Sequence, residues 1–397
     1  MKKYNFYVHL FLFFLIYSEL KSLPQGGVAD DYEHLAKKDI PRGKLFNQKK
    51  QLKLSLRHKA TLRTKNAGFM QKQTNFFFKD NLFWAMDGAS SDIHIFENNG
   101  DYKKKIIIKP GPVKISGFPT FRIGPNGNFF IHNAAYKASE ILEVDLTGQI
   151  VKRYSTHFNN DKTNIEIASR GLVVSSAPHG KRIFTRAFQW LPLKNILKET
   201  MTIASFKENG HLLKIFAPYH PFYVKYELTD WRMIDLTMYK GELYSLQSAL
   251  PYVQVYSLDG KLKRQFGIQG YFQKPIKKQP VVWGPGKEPF WRKHTSYFSI
   301  RIIPESSLGE PVVAVSYYNP ELEPVEGLET HQETHNNYLM FYSLSGKLLY
   351  NSLELPGRLY SVTEQHELLL LENAHPLKLK LGLYSLKLNS INEKEME

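Results

Sequence analysis

The sequence predicts an all-β fold, a six-bladed β-propeller with four-stranded blades, and three observations support this prediction. Aromatic residues make up 14% of the chain, with 26 Phe and 23 Tyr, and this bias favours sheet over helix. A hairpin pattern of two short strands around a turn recurs along the chain. A separate apolar strand precedes each copy of that hairpin.

Residues 253–266 are the clearest copy of the hairpin. Val253 and Val255 alternate with polar positions, as one buried face of a strand requires. The pair Asp259-Gly260 predicts a type I′ turn, which needs positive φ at both central residues. Four further copies carry the turn glycines Gly100, Gly148, Gly210 and Gly346. A sixth copy at residues 382–388 has the first strand but no turn glycine.

The apolar strand that precedes each hairpin supplies a second strand to the repeating unit. These strands begin at Leu82, Phe129, Leu172, Leu243, Val312 and Leu368. Segments such as 121–123 and 231–234 indicate one more strand before them, so the unit has four strands. Six such units predict a six-bladed propeller. A pair of β-sandwiches is the alternative, but it would not require six copies of one hairpin.

The first predicted strand lies before the first complete unit. In residues 51–57, Leu52, Leu54 and Leu56 alternate with polar residues, as in a half-buried strand. The sixth copy lacks its outermost strand. We therefore predict that residues 51–57 complete the last blade and close the ring, which removes the unpaired strand edges. The propeller then spans residues 51–390, and a charged tail follows at 391–397.

Hairpins of the type Val255-Tyr-Ser-Leu-Asp-Gly260-Lys-Leu resemble those of six-bladed propellers of the NHL-like class, including the exported bacterial type. The resemblance covers about residues 51–390 and implies the fold. It leaves the function open, because propellers host binding proteins, lyases, hydrolases and scaffolds.

The N-terminus predicts export to the periplasm or the cell exterior. Lys2 and Lys3 precede an apolar run from Phe6 to Tyr17, and small residues follow, as is typical of a secretory signal peptide over residues 1–22. An uncleaved N-terminal anchor is the alternative. Residues 23–50, rich in Gly, Pro, Asp and Lys, are predicted to form a linker or arm. After signal cleavage we expect no membrane span, and we expect a monomer.

Composition limits the chemistry and the partners. The chain has no cysteine, which excludes disulfides, a Cys nucleophile and thiolate metal sites. The formal net charge of +16 is compatible with anionic partners, although a solvated basic surface that aids solubility is the favoured explanation. No stretch resembles a nucleic-acid motif, so no nucleic-acid partner is expected. The expected partner is a protein or an anionic polysaccharide.

Loop lengths predict which face of the propeller binds. With strands A to D in each blade, the B–C and D–A connections emerge on one face, and the A–B and C–D turns emerge on the other. Excess length at about residues 178–200 and 318–337, and after Phe266 to about Tyr297, falls on the first face. Long loops on a rigid scaffold commonly carry binding sites, so we predict that this loop-rich face is functional.

Two of these insertions combine cationic and aromatic residues, which suit sugars with anionic substituents or a protein partner. The predicted ligand-binding residues are Arg182, Arg186, Trp190, Trp283, Lys287, Trp291 and Arg292. Alternatively, the tryptophans anchor their own loops. Residues 191–200 could form a short helix that caps the face.

A second predicted site is a ring of short polar residues at the mouth of the central channel, where the B strands end. Its members are Asp87, Asn133, Ser176, Ser248, Asn319 and Asn373. Such residues either bind a cation or simply start turns. Calcium requires six to eight oxygens, usually with several carboxylates, and this ring is poor in charge. We therefore expect no cofactor and no resident metal, with calcium as the one metal to consider.

Two histidines have metal-like spacing. His331 and His335 would share one face of a helix, as zinc ligands do, but their polar, acidic context favours a solvated pair. The chain has no nucleophile elbow and no phosphate-binding glycine loop. The sequence thus favours an exported binding protein over an enzyme. The alternative is a metal-dependent, lactonase-like hydrolase or lyase with its site in the central channel.

Overall fold

The computed structural model describes residues 50–55, 57–64, 73–87, 90–109, 120–124, 126–133, 140–155, 165–167, 172–177, 180–189, 197–229, 233–274, 276, 294–304, 310–324, 331–373 and 379–390. In these residues, six antiparallel sheets form the six blades of a β-propeller, as the repeat predicts. The A strands of successive blades lie against one another, so they surround the central channel.

The strands follow each other blade by blade. The chain enters with β1 (Lys50–Ser55) and β2 (Ala60–Thr61). Blade 1 contains β3 (Gln73–Lys79), β4 (Leu82–Asp87), β5 (Ile93–Glu97) and β6 (Tyr102–Ile106). Blade 2 contains β7 (Thr120–Ile123), β8 (Phe129–Asn133), β9 (Glu140–Val144) and β10 (Ile150–Ser155). Blade 3 contains β11 (Ile165–Ile167), β12 (Val173–Ala177), β13 (Gly180–Gln189), β14 (Met201–Lys207) and β15 (Leu212–Pro218).

After blade 3 comes the short helix α1 (Pro221–Lys225). Blade 4 contains β16 (Ile234–Tyr239), β17 (Glu242–Gln247), β18 (Val253–Ser257) and β19 (Leu262–Phe266). Blade 5 contains β20 (Ser296–Ile303), β21 (Val312–Pro324), β22 (His331–Ser343) and β23 (Leu348–Leu355). Blade 6 contains β24 (Arg358–Val362), β25 (Leu368–Asn373) and β26 (Lys380–Ser390).

The N-terminal strand closes the ring, which confirms the predicted closure. β1 pairs antiparallel with β26, from Lys50 opposite Ser390 to Ser55 opposite Ser385. β2 continues along the same edge, with Ala60 opposite Leu381. Together β1 and β2 form the outermost strand of blade 6. This strand occupies 50–55 and 60–61, against the predicted 51–57.

The Asp259-Gly260 turn differs from the prediction of a type I′ turn. Gly260 N–H donates to the Ser257 carbonyl at 2.9 Å, and φ is positive at Gly260 but not at Asp259. The turn is therefore a type I turn followed by a glycine bulge, as in three-residue hairpins. Adjacent residues with positive φ, as a type I′ turn requires, occur instead in the A–B turn Asp80-Asn81.

The turn glycine of each C–D hairpin packs against the outer strand of the preceding blade. A Cβ added at Gly260 would lie 2.7 Å from the Phe216 ring. One added at Gly100 would lie 2.2 Å from the Thr61 carbonyl oxygen in β2. The equivalent pairs are Gly148 with Ile107, Gly210 with Tyr154 and Gly346 with Phe266. The repeated glycine therefore allows close approach between blades as well as positive φ.

The blade 3 insertion predicted at 178–200 is largely a strand. β13 pairs antiparallel with β12, from Val173 opposite Phe184 to Ala177 opposite Gly180. β12, which was predicted to be the B strand, is therefore an A strand, and β13 is the B strand. β11 extends the inner edge by pairing with the far end of β13. The cationic residues of β13 obscured a strand whose Ile183 and Phe184 are buried.

The blade 5 insertion predicted at 318–337 extends a hairpin. β21 and β22 stay paired as far as Pro324 opposite His331. The helical geometry considered for His331 and His335 is wrong, because both lie in β22. Residues four apart on a strand are separated by roughly 13 Å, too far for the shared zinc ligation that a helix would allow.

A satellite apolar cluster covers part of the loop-rich face. It joins the B–C connection of blade 3, the D–A connection with α1, and the loops around blade 4. Its buried members are Leu197, Tyr219, Tyr223, Tyr226, Leu228, Ala249, Leu250 and Ile276. Of the helix considered at 191–200, residues 197–199 are helical, and the rest lies outside the described residues. In the described part of the chain, no helix has the length and apolar character needed to cross a membrane.

Candidate functional site

The predicted ligand-binding residues separate into two groups. Trp190, Trp283, Lys287, Trp291 and Arg292 lie outside the described residues. Arg182 and Arg186 both lie in β13, not in a loop.

Arg182 and Arg186 do not share one site. Arg182 is opposite Lys207 in β14, close to the face of A–B and C–D turns, which we call the short-turn face. Its Nη1 donates to Asp259 Oδ1 at 2.9 Å. Arg186 is buried, and its Nη1 contacts Met233 Sδ at 3.6 Å. The prediction that both residues lie in one loop of the loop-rich face is therefore wrong.

Five of the six predicted channel-mouth residues lie in the half of a B strand that is nearer the loop-rich face, or directly beyond the end of that strand. Asp87, Asn133 and Asn373 end their strands, Ser248 follows β17, and Asn319 lies within the extended β21. Ser176 is the exception, because β12 is an A strand that runs toward the short-turn face.

Two residues of this ring form hydrogen bonds that stabilise a turn or a loop. Asp87 Oδ1 accepts a hydrogen bond from Ser90 N–H at 3.4 Å. Asn319 Nδ2 donates to the Phe272 carbonyl at 2.7 Å, which holds the connection that follows blade 4. Among the residues that the structure describes, no group of three or more His, Asp or Glu side chains could hold a metal ion.

A different charged cluster lies inside the channel. Asp235 of β16 forms an ion pair with Arg301 of β20 through Oδ2 and Nη1. Its Oδ1 lies 3.9 Å from Nη2 of Arg122, which belongs to β7. Blades 2 and 4 are not neighbours, so the Arg122–Asp235 contact crosses the space that the A strands enclose. The channel therefore contains two guanidinium groups and one carboxylate in close contact.

Backbone carbonyls hold both arginines in place. Arg301 donates from Nε and Nη2 to the Tyr360 carbonyl, at 3.0 and 2.8 Å. Arg122 donates from Nε to the Leu172 carbonyl at 3.2 Å, and its guanidinium lies 5.3 Å from the Phe77 ring centroid. The two terminal nitrogens of Arg122 donate no hydrogen bond to any described residue, and its side chain is 22% exposed. Arg122 thus presents an open edge to the channel.

The electrostatics of Arg122 reflect this surplus of positive charge. Burial and the charge of Arg301 lower the pKa of Arg122 to about 10, and Asp235 opposes this shift. The group remains a cation at neutral pH. An anion placed against it would relieve the repulsion between the two guanidinium groups.

Aromatic rings connect this cluster to the loop-rich face. Arg358, the first residue of β24, lies 4.6 Å from the Tyr318 ring centroid and 5.6 Å from that of Phe298. Phe298 in turn contacts Tyr360, with ring centroids 5.8 Å apart. The Tyr360 carbonyl is the acceptor for Arg301. An aromatic and cationic surface therefore leads from the mouth toward the arginine pair.

The sequence contains a signal for this cluster that is separate from the hairpin repeat. Each charged residue stands alone between apolar residues in an A strand. These triplets are Phe121-Arg122-Ile123, Ile234-Asp235-Leu236 and Ile300-Arg301-Ile302. A charge between apolar neighbours on an inner strand lies on the opposite face of the sheet from them, because successive side chains alternate across a strand.

Comparison with known proteins supports the fold. No family model and no curated protein matches the chain. A solved member of the DUF4221 family from Bacteroides vulgatus is 15% identical, with a TM-score of 0.59 over 85% of this chain and 98% of that one. The periplasmic gluconolactonase of Pseudomonas aeruginosa is 9% identical, with a TM-score of 0.41 over 80% of this chain and 88% of that one.

A candidate exported protein from Bacteroides fragilis is 10% identical, with a TM-score of 0.44 over 85% of this chain and 95% of that one. The likeness to the DUF4221 structure supports the six-bladed propeller and, at 15% identity, shows the fold alone. Membership of the NHL-like class stays a prediction.

Proposed function

We propose that this protein is an exported binding protein that takes an anionic ligand into its central channel from the loop-rich face. The observation that carries the proposal is the open edge of Arg122, which lies beside Arg301 and has Asp235 as its one counter-charge among the described residues. A guanidinium binds carboxylate and phosphate oxygens through two parallel hydrogen bonds. Such bonds are stronger in a partly buried site than in water.

The ligand class follows from the rings above the arginines. Phe298, Tyr318 and Tyr360 supply half-buried aromatic rings, and Arg358, which lies over two of them, adds a cation at the mouth. Aromatic faces suit the C–H groups of a sugar ring, and arginine suits its carboxylate. We therefore propose an acidic saccharide as the ligand, with one carboxylate against Arg122.

The alternative function, a metal-dependent hydrolase or lyase of the lactonase-like kind, finds no supporting cluster of ligands among the described side chains. A binding protein is the better-supported reading, because the charged groups of the channel are cationic overall.

The proposal is tested with Arg122→Gln. The protein is titrated calorimetrically with trigalacturonate and trimannuronate, and with galactotriose as a neutral control. We expect the wild type to bind at least one acidic trisaccharide and to ignore the neutral one. Arg122→Gln should lower the affinity roughly tenfold or more, the loss typical of one charge-assisted contact.

The matched control is Arg63→Gln, which removes an arginine that is 68% exposed and pairs with Asp101 at the rim. It should bind like the wild type. Equal binding by a folded Arg122→Gln variant would show that the channel is not the site. No binding of either acidic trisaccharide by the wild type would remove the proposed ligand class.

A further inference from the structure

A second basic site lies at the seam between blades 2 and 3, on the short-turn face. A cavity of about 480 Å³ opens there, which is within the range of roughly 300–1,000 Å³ usual for small-molecule pockets. Its lining residues are Lys152, Lys181, Arg182, Lys207, Glu208, Asn209 and Leu213. Four of these side chains are cationic and one is anionic.

Two of the cations are fixed in position before any ligand arrives. Lys181 Nζ lies 3.0 Å from Glu143 Oε1, and Arg182 Nη1 lies 2.9 Å from Asp259 Oδ1. Charges that are already ordered lose little conformational freedom when a ligand binds, which favours affinity.

A buried network supports this wall of the cavity. Glu143 accepts hydrogen bonds from Tyr154 Oη at 2.6 Å, Asn128 Nδ2 at 2.9 Å and Asn126 Nδ2 at 3.0 Å. The Glu143 carboxylate is therefore held by side chains of blade 2. It in turn fixes the position of the Lys181 ammonium, which belongs to blade 3.

The other two cations are available to a ligand. Lys152 Nζ lies 5.2 Å from the Tyr154 ring centroid, and Lys207 is exposed. Neither forms an ion pair with a described residue. Their mutual repulsion within one cavity would be relieved by an anion.

We propose that this cavity binds a small polyanion with two or more phosphate or sulfate groups, independently of the channel. Arg182 Nη1 pairs with Asp259, which leaves Nε and Nη2 as donors for such groups, and the lysines supply point charges around them. Leu213, which is 39% exposed, contacts the carbon skeleton of the ligand. Phosphate and sulfate share this chemistry, and the probes below separate them.

The test compares the wild type with Lys152→Gln/Lys207→Gln. The probes are inorganic pyrophosphate and sucrose octasulfate, titrated calorimetrically at low and at raised salt. We expect the wild type to bind at least one probe, more weakly at high salt because exposed charges are screened. The double variant should bind that probe at least tenfold more weakly. The preferred probe identifies a phosphorylated or a sulfated ligand.

The control is Lys104→Gln/Lys240→Gln, which removes the same charge from exposed positions outside the cavity. Its affinity should match that of the wild type, and thermal melts should show that both double variants fold. The proposal is overturned if the wild type binds neither probe, or if both double variants lose affinity equally. Arg122→Gln should leave this binding unchanged, so failure here is distinguishable from failure of the channel site.

Discussion

Glu143 carries the strongest electrostatic constraint at the seam between blades 2 and 3. Burial alone would raise the pKa of this carboxyl, but hydrogen bonds from Tyr154, Asn128, Asn126 and Lys181 outweigh it and lower the pKa to about 2. The ionised form is therefore strongly favoured in the folded protein. The ordinary value for glutamate in the unfolded chain is 4.5.

The pKa of Glu143 predicts acid sensitivity. Because the folded pKa lies below the unfolded one, its stabilising effect is complete above about pH 4.5 and is lost as the pH falls toward about 2. The shift corresponds to about 3 kcal/mol. Glu143→Gln should lower the free energy of unfolding at pH 7 by about that amount and flatten the pH dependence in this window, as measured by urea denaturation.

The control for this prediction is Glu97→Gln. Glu97 forms an exposed ion pair with Lys103 at 2.9 Å, which should contribute less than about 1 kcal/mol. An unchanged slope between pH 4.5 and 2 in Glu143→Gln would contradict the role assigned to this carboxylate.

The candidate site could be predicted from the sequence only in part. Asp87 ends its B strand, as expected of a turn residue, whereas Asn319 lies inside the extended β21. The channel cluster was not predicted, because Arg122, Asp235 and Arg301 are far apart in sequence. Only the ring geometry brings them together, and a single charged residue within a strand does not reveal its partners.

The C–D hairpin is the element that links each blade to the preceding one. Its glycine meets two demands, positive φ and contact with the neighbouring outer strand. Two glycines of blade 4 allow the two demands to be compared, because both have positive φ but only one contacts the neighbouring blade. Gly260 has φ +77° and packs against Phe216, whereas Gly241 has φ +75° and no atom within 4 Å of an added Cβ.

This difference predicts unequal effects of alanine at the two positions. Gly241→Ala should cost roughly 1–2 kcal/mol from the left-handed backbone alone. Gly260→Ala should cost about 1–3 kcal/mol more, because Phe216 must shift. Urea denaturation of both variants measures the difference. Equal losses in the free energy of unfolding would mean that the contact with Phe216 adds no cost beyond that of the left-handed backbone.

At the level of elements, the sequence predicted the hairpins well and the insertions poorly. Alternation with period two and a turn glycine depend only on local chemistry, so five C–D turns were found correctly. In blade 3, the sequence predicts a loop where β13 lies, because Lys181, Arg182 and Arg186 interrupt its apolar residues. In blade 5, the acidic residues that continue β21 concealed a hairpin extension.

The whole molecule depends on the pairing of its two ends. β1 and β2 cover the outer edge of β26, and Thr61 of β2 also meets the Gly100 turn of blade 1. A single segment thus completes blade 6 and contacts blade 1. Its removal would both expose the edge of β26 and remove a contact between blade 6 and blade 1.

This arrangement predicts different effects of two N-terminal truncations. A chain that starts at residue 50 should keep the melting temperature of the protein without residues 1–22. A chain that starts at residue 62 should melt well below it and self-associate, because an exposed strand edge pairs with other chains. Thermal melts and light scattering provide the measurements. A monomeric, equally stable chain from residue 62 would show that the ring does not depend on this strand.

The pairing of Lys50 with Ser390 also orders events in time. A growing chain can form blades 1 to 5 one after another from local hairpins. Blade 6 must wait until residue 390 has been made, while its outermost strand is made before blade 1. Bringing together segments so far apart in sequence carries a large loop-closure entropy. We therefore expect ring closure to come last in folding, with the edge of the first strand unpaired until then.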